Sequence, residues 1–239
     1  VPVTTKAIVL TSLKYGDNSL ISKVLTEKEG VQSFMLRGIL KTRKGRLKMA
    51  FFQPLTQLEI VAQTKASGSL GYIREASISY GYQSLHTEVR KGAVALFLAE
   101  VLSQCLKEAE ADPRLFQYIE TTLQWLDQQE EIANFHIRFL IGLTRHLGFF
   151  PDLNSIEGPC FDLVEGATCL TPSWNPCFSG PELDYFKVFL GTKFDAIHKV
   201  KLNHHQRKIL LENLIRYFEI HLHGFRKPKS LEVLDEVFS

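Results

Sequence analysis

"VQSFMLRGILKTRKGRLK" occupies residues 31–48, and its two halves obey different rules. In the first, Val31, Ser33 and Met35 fall on one side of an extended chain and Gln32, Phe34 and Leu36 on the other, which predicts a strand. The second half breaks that pattern with Gly38 and Gly45. It also gathers Arg37, Lys41, Arg43, Lys44, Arg46 and Lys48 in a window, residues 37–48, that has no acidic residue. A strand running into a long cationic loop needs further strands to pair with, and the flanking sequence supplies them.

"KAIVLTSLKY" at 6–15 is rich in β-branched residues and ends at the turn signal Gly16-Asp17. "SLISKVLTEKEG" at 19–30 closes at Glu29-Gly30. "FFQPLTQLEIVAQT" at 51–64 sets Leu58, Ile60 and Ala62 against Gln57, Glu59 and Val61, and "LGYIREASISYGY" follows at 70–82. Five short strands predict a small closed barrel, because closure removes exposed strand edges. The long loop after the third strand fits an OB-fold, and an SH3-like barrel shares the same outline.

From residue 83 the apolar residues take helical spacing. Val94, Phe97, Leu98, Val101, Leu102 and Cys105 mark a first helix, and Asp112-Pro113 reads as a cap followed by proline at the first helical position. "IANFHIRFLIGLTRHLG" is a third amphipathic run, stopped by Gly148 and Pro151. "HHQRKILLENLIRYFEIHLHG" is a fourth, and "SLEVLDEVF" a short last helix with Ser230 as its cap. Residues 150–180, dense in proline and glycine, predict an irregular insertion. The expected class is therefore α+β: a five-stranded OB-fold barrel at 1–82, then an α-helical bundle domain at 83–239 carrying a loop-rich insertion.

Bulk composition does not identify a partner. The net charge is only +2 over 239 residues, so any case for a polyanion has to rest on local charge. Four cysteines are too few for a disulfide scaffold. The apolar run Ala7–Leu10 is too short for a signal peptide, and "AVALFLAEVL" at 93–102 falls far below the roughly 20 residues of a membrane span. These features predict a soluble cytoplasmic protein. The chain opens at Val1 rather than methionine, so a few native residues are expected ahead of it.

Several stretches together resemble one family. "AIVLTSLKYGDNSLISKVLTEKEG", "RGILKTRKGRLK" followed by "FQPLTQLEI", "RFLIGLTRHLGFFPDL" and "HLHGFRKPKSLEVL" are similar, in this order, to RecO, the bacterial recombination mediator. The resemblance implies an OB-fold, a helical domain and, in many members, a zinc module. It implies binding of single- and double-stranded DNA, annealing of complementary strands, and association with RecR and with the acidic tail of single-strand-binding protein. It also implies indirect service to RecA on coated strands, and a place at the nucleoid during repair.

On this reading the six cations of residues 37–48 grip phosphates, because each docked lysine or arginine releases condensed counterions without reading sequence. Tyr15, Phe34, Tyr72, Tyr80 and Tyr82 are candidates for base stacking, some of them belonging to the barrel core. Arg226, Lys227 and Lys229 form a second basic group that extends the DNA path, holds an acidic peptide, or simply complements a helix end. Arg138, beside the apolar run "FLIGL", matches a family position and is the candidate clamp for the acidic tail; a helix-surface ion pair is the competing account. The rival functions are an RNA-binding OB protein, a protein adaptor with little nucleic-acid affinity, and a metal-dependent enzyme.

Zinc modules present paired C-x-x-C ligands on tight turns. Here Cys160, Cys169 and Cys177 lie nine and eight positions apart, so the region reads as a degenerate zinc-finger-like segment without metal. Its expected packing is by Phe161, Leu163, Trp174 and Phe178. His198, His204 or His205 is the candidate to complete a site if one forms. No nucleotide-binding, zinc-protease or serine-hydrolase motif is present, and a non-enzymatic mediator is predicted.

Overall fold

Period-two alternation rolls the N-terminal residues into a barrel, seen in a computed structural model that describes residues 2–41, 47–64, 69–106, 110–152, 158–171 and 174–239. Its strands are β1 (Val3–Tyr15), β2 (Ser19–Thr26), β3 (Gly30–Leu36), β4 (Gln57–Gln63) and β5 (Tyr72–Tyr80). They pair antiparallel in the order β3-β2-β1-β4-β5. Three hairpin-connected strands, with a fourth returning by a long connection to lie beside the first, make a Greek key. The sheet then closes on itself. Phe34 of β3 forms a parallel bridge with Gly71, where Met35 N donates to Gly71 O at 2.9 Å and Gly71 N to Ser33 O at 2.9 Å. This closed Greek-key barrel is an OB-fold, and the basic stretch lies in its long β3–β4 connection.

The inward residues include Phe34 and Leu36 from one alternating run and Leu58, Ile60 and Ala62 from the other. Val9, Leu20, Val24, Phe34, Leu36, Leu58, Ile60, Ala62 and Ile73 fill the barrel. Ile39 joins them from the basic stretch, and Leu40 and Leu47 pack against them.

The chain divides into two compact units, Val1–Gln128 and Gln129–Ser239. The first therefore holds the barrel together with α1 (Val89–Cys105) and α2 (Pro113–Gln128). The change from strands to helices near 83 and the division into compact units at 128 are different boundaries, because polar side chains bind both helices to the barrel. Lys6 Nζ donates to Glu120 Oε1 at 2.9 Å, Gln57 Nε2 to Glu120 O at 2.9 Å, and Lys23 Nζ to Ser103 O at 2.9 Å. Asp127 Oδ1 and Oδ2 accept from the backbone N–H groups of Gln83, Ser84 and Leu85 at 2.8 to 2.9 Å. The buried Lys91 donates to Ser84 Oγ and to Asp127 O. Asp112 caps α2, accepting from the N–H groups of Arg114 and Leu115.

The second unit is built around α3 (Phe135–His146), which is buried on nearly every side. It packs with α4 (Pro181–Gly191) and α5 (His204–His221), and α6 (Ser230–Val237) ends the chain. Asn203 and Gln206 form a reciprocal capping box at the start of α5. Ser230, expected to cap α6, is instead its first residue, with Lys229 at the cap position.

The insertion is more ordered than its composition suggests. It carries a three-stranded antiparallel sheet, β7-β6-β8, from β6 (Cys160–Asp162), β7 (Ala167–Cys169) and β8 (Cys177–Ser179), and α4 follows at once. Phe161 and Phe178 pack edge-on against Phe186 of α4, at 4.9 and 5.3 Å between ring centroids. Leu163 is buried beside them. Trp174, expected to pack with them, is instead fully exposed.

Candidate nucleic-acid interface

The basic stretch hangs from the barrel by its apolar residues. After β3, Gly38 turns the chain through a positive φ of 69°, which glycine adopts without steric cost. Ile39 then enters the core, and Leu40 N donates to Asn18 O at 3.2 Å. At the far end Leu47 packs back on the core, and Lys48 Nζ lies 5.7 Å from the Phe51 ring centre. Around these anchors Arg37, Lys41 and Lys48 are exposed. Arg43, Lys44 and Arg46, the centre of the predicted grip, lie outside the described residues.

Beside this attachment the outer barrel surface carries an apolar and aromatic strip. Register places Leu13, Ile21 and Met35 side by side across β1, β2 and β3. Leu13 and Tyr15 are exposed at the tip of the β1–β2 hairpin. The strip continues into a groove along the seam where β3 meets β5, lined among others by Met35, Arg37, Leu47, Leu70 and Tyr72. Tyr72 donates from its hydroxyl to Gln63 Oε1 and presents its ring at the groove. The Arg74 guanidinium lies 5.9 Å from that ring centre. Further along β4 and β5 the outer surface is acidic, with Glu59 and Glu75 exposed.

The structure sorts the five aromatic candidates. Phe34 is wholly buried in the core. The Tyr82 hydroxyl donates to Leu55 O, and burial raises its pKa far above the ordinary tyrosine value. Tyr80 packs edge-on against Tyr82 and accepts from Gln128. Tyr15 and Tyr72 alone of the five expose a large part of their rings. Arg74 and the Leu13–Ile21–Met35 row escaped sequence reading. A lone arginine in a strand is unremarkable by itself, and the row exists only through cross-strand register.

The other candidates belong to the second unit. Arg226, Lys227 and Lys229 are all exposed, while the neighbouring Phe225, Pro228 and Ser230 are buried. Arg138 on α3 donates from Nε to Thr192 O at 2.6 Å and lies 5.1 Å from the Phe194 ring centre. It thereby ties α3 to the C-terminal end of α4.

A structural zinc ion needs four donors. The small sheet offers the thiols of Cys160, Cys169 and Cys177. Asp162, two residues along from Cys160, already accepts from Val164 N, Glu165 N and Asn175 Nδ2. Among the described residues no group of histidine, cysteine or carboxylate side chains is arranged to hold a metal. His204 bonds Asp235 and Phe238 O, and His221 bonds Leu163 O while stacking on Phe149. Among the described residues no fourth donor completes a tetrahedral zinc site with the three thiols. Among the described residues no helix is long and apolar enough to cross a membrane.

Family models described as Recombination protein O N terminal and Recombination protein O C terminal match residues 1–82 and 86–232. The chain belongs to the RecO family. It is 46% identical to the DNA repair protein RecO of Christiangramia forsetii, over 98% of both chains. The DNA repair protein RecO of Flavobacterium psychrophilum is 40% identical over 99% of both, and that of Bacteroides fragilis 33% identical over 98% of both. The two RecO models meet close to the point where strands give way to helices.

Proposed function

We propose that this RecO-family chain is a DNA repair and recombination mediator that binds single- and double-stranded DNA without reading sequence. It anneals complementary strands and helps RecA load onto strands coated with single-strand-binding protein, with RecR and that coating protein as partners. The observation that carries the DNA reading is the one-sided barrel. Arg37, Lys41, Lys48 and Arg74 stand beside the exposed rings of Tyr15 and Tyr72, while Glu59 and Glu75 make the outer surface further along β4 and β5 acidic.

In this reading phosphates run along the cations and release counterions. Bases rest on Tyr72 and Tyr15, whose flat rings accept any base. A strand held by its backbone keeps its pairing edges available, and the cations screen the approach of its complement. No bond is made or broken, so no catalytic group is required. Arg138 and the outward cations Arg226, Lys227 and Lys229 are the proposed contacts for an acidic tail and for further DNA.

The test is single-stranded DNA affinity across a salt series for the native chain and for a variant with Arg43, Lys44 and Arg46 changed to alanine. The expected result is steep salt dependence, with a shallower slope for the variant. Coincident curves would remove the loop from the site, and negligible affinity in both would end the DNA reading. RNA competing as well as DNA would favour the RNA-binding alternative.

A further inference from the structure

Cys160 on β6 and Cys169 on β7 are register partners in the small sheet, and their Sγ atoms lie 3.0 Å apart. Each thiol also points at the other residue's carbonyl, at 3.7 and 3.6 Å. The backbone fixes this approach. Gly158 sits so close to Cys169 that a β-carbon there would fall 2.4 Å from the Cys169 carbonyl oxygen. Phe161 and Phe178 seat the sheet on Phe186 and Tyr217, so the strands cannot drift apart cheaply. A disulfide needs a sulfur separation of about 2 Å. From the present position that takes about 1 Å of side-chain movement and no rearrangement of the strands.

We infer that Cys160 and Cys169 form a redox-sensitive dithiol that closes to a cross-strand disulfide when the surrounding pool of small thiols becomes oxidised. The residues that fail as a zinc site thus form a covalent clasp at the same place in the fold. Cys169 is the more accessible of the two and reacts first. Its thiolate attacks one sulfur of a low-molecular-weight disulfide, the bond between the two small sulfurs breaks, and one small thiolate leaves and takes up a proton. Cys160 then attacks Cys169 Sγ and expels the second small thiolate, which is protonated in turn. Two protein thiols are oxidised and one small disulfide is reduced to two small thiols.

The order of events has a physical basis. The hydrogen bond with Cys169, followed by burial, pushes the Cys160 thiol up to about 12. Cys160 is therefore the poorer first nucleophile, and its later attack on capped Cys169 relies on the 3.0 Å approach of the two sulfurs.

The experiment is treatment of the full-length reduced protein with oxidised glutathione, then alkylation and mass spectrometry. The expected product has lost two hydrogen atoms in most chains, yields a Cys160–Cys169 cross-linked peptide, and is alkylated at Cys105 and Cys177. Cys160→Ser should trap glutathione on Cys169, and Cys169→Ser should leave Cys160 reduced. Circular dichroism of both variants in the reduced state checks that the fold is retained. Full alkylation of both residues after oxidation would overturn the inference. So would a Cys160–Cys177 bond, or stoichiometric zinc that shields the thiols.

Discussion

Phe34 and Gly71 face each other across the parallel bridge that closes the barrel, and the contact leaves no room for a side chain on the second residue. A β-carbon at Gly71 would lie 2.7 Å from Gln63 O and 3.0 Å from the Phe34 ring. Neither can yield easily, since one is backbone and the other a wholly buried ring. Gly71→Ala should therefore destabilise the first unit by about 1–3 kcal/mol, the usual cost of overpacking. Gly81→Ala, where the space is open, should change stability by less than about 0.5 kcal/mol. Urea unfolding of both variants is the measurement, and equal effects would show that the seam tolerates bulk.

The groove beside that seam gives a second prediction. Tyr72→Ala should weaken single-stranded DNA binding by about 1–3 kcal/mol at every salt concentration, because stacking on a base is lost. Arg37→Ala should weaken it mainly at low salt and lower the salt slope by about 1. Glu75→Ala, on the acidic part of the surface, should leave both quantities where they were. Filter binding or fluorescence anisotropy with an unstructured oligonucleotide reads all three, and a response at Glu75 matching that at Tyr72 would move the site.

Sequence alone revealed the barrel strands because Leu58, Ile60 and Ala62 alternate with residues that point out of the barrel, and a strand with one face in an apolar core must alternate. It revealed the start of α2 because the Asp112 cap and Pro113 are local devices. The closure through Gly71 was hidden, since an isolated glycine carries no sign of the strand it will meet. The sheet of three-residue strands was hidden for a related reason. Its order comes from Phe161 and Phe178 packing on Phe186, a tertiary contact that no window of proline-rich sequence contains. The first unit's extent was equally invisible, because Lys6, Lys23 and Gln57 are ordinary strand residues until α1 and α2 arrive above them. The cationic loop could be read from the sequence, whereas the groove beside it required strand register.

Asp127 predicts an acid limb for the first unit. Burial alone would raise its carboxyl, but the N–H groups of Gln83, Ser84 and Leu85 and the Ser84 hydroxyl outweigh that and hold it below its ordinary 3.8. The unfolded chain then binds this proton more readily than the folded one. The stabilisation is complete above the unfolded value and is lost as pH falls through the lower folded value. Asp127→Ala should cost at least about 2 kcal/mol at neutral pH, because buried donors lose their acceptor. Asp127→Asn should flatten the acid limb. In a Trp174→Phe background the half-buried Trp125 of α2 reports this unit's unfolding.

His136 predicts an acid loss of stability in the other unit, one that sets in at a higher pH than that of Asp127. It is buried on α3, its ring 5.9 Å from that of Phe238. Burial, with a smaller contribution from the Arg207 charge, lowers its pKa from 6.5 to about 3. The folded protein therefore keeps the imidazole neutral where the unfolded chain protonates it. The second unit should lose about 1.4 kcal/mol for each pH unit below 6.5, until the folded value is reached. Above pH 6.5 this residue should contribute no pH dependence. His136→Gln removes the titration, so its stability should stay level between pH 6.5 and 4.5 while that of the native chain declines. Hydrogen exchange at α3 amides across this range is the measurement, since it reads the second unit without interference from Asp127, whose effect sets in below pH 4. Parallel slopes in native and variant chains would assign the loss to other groups.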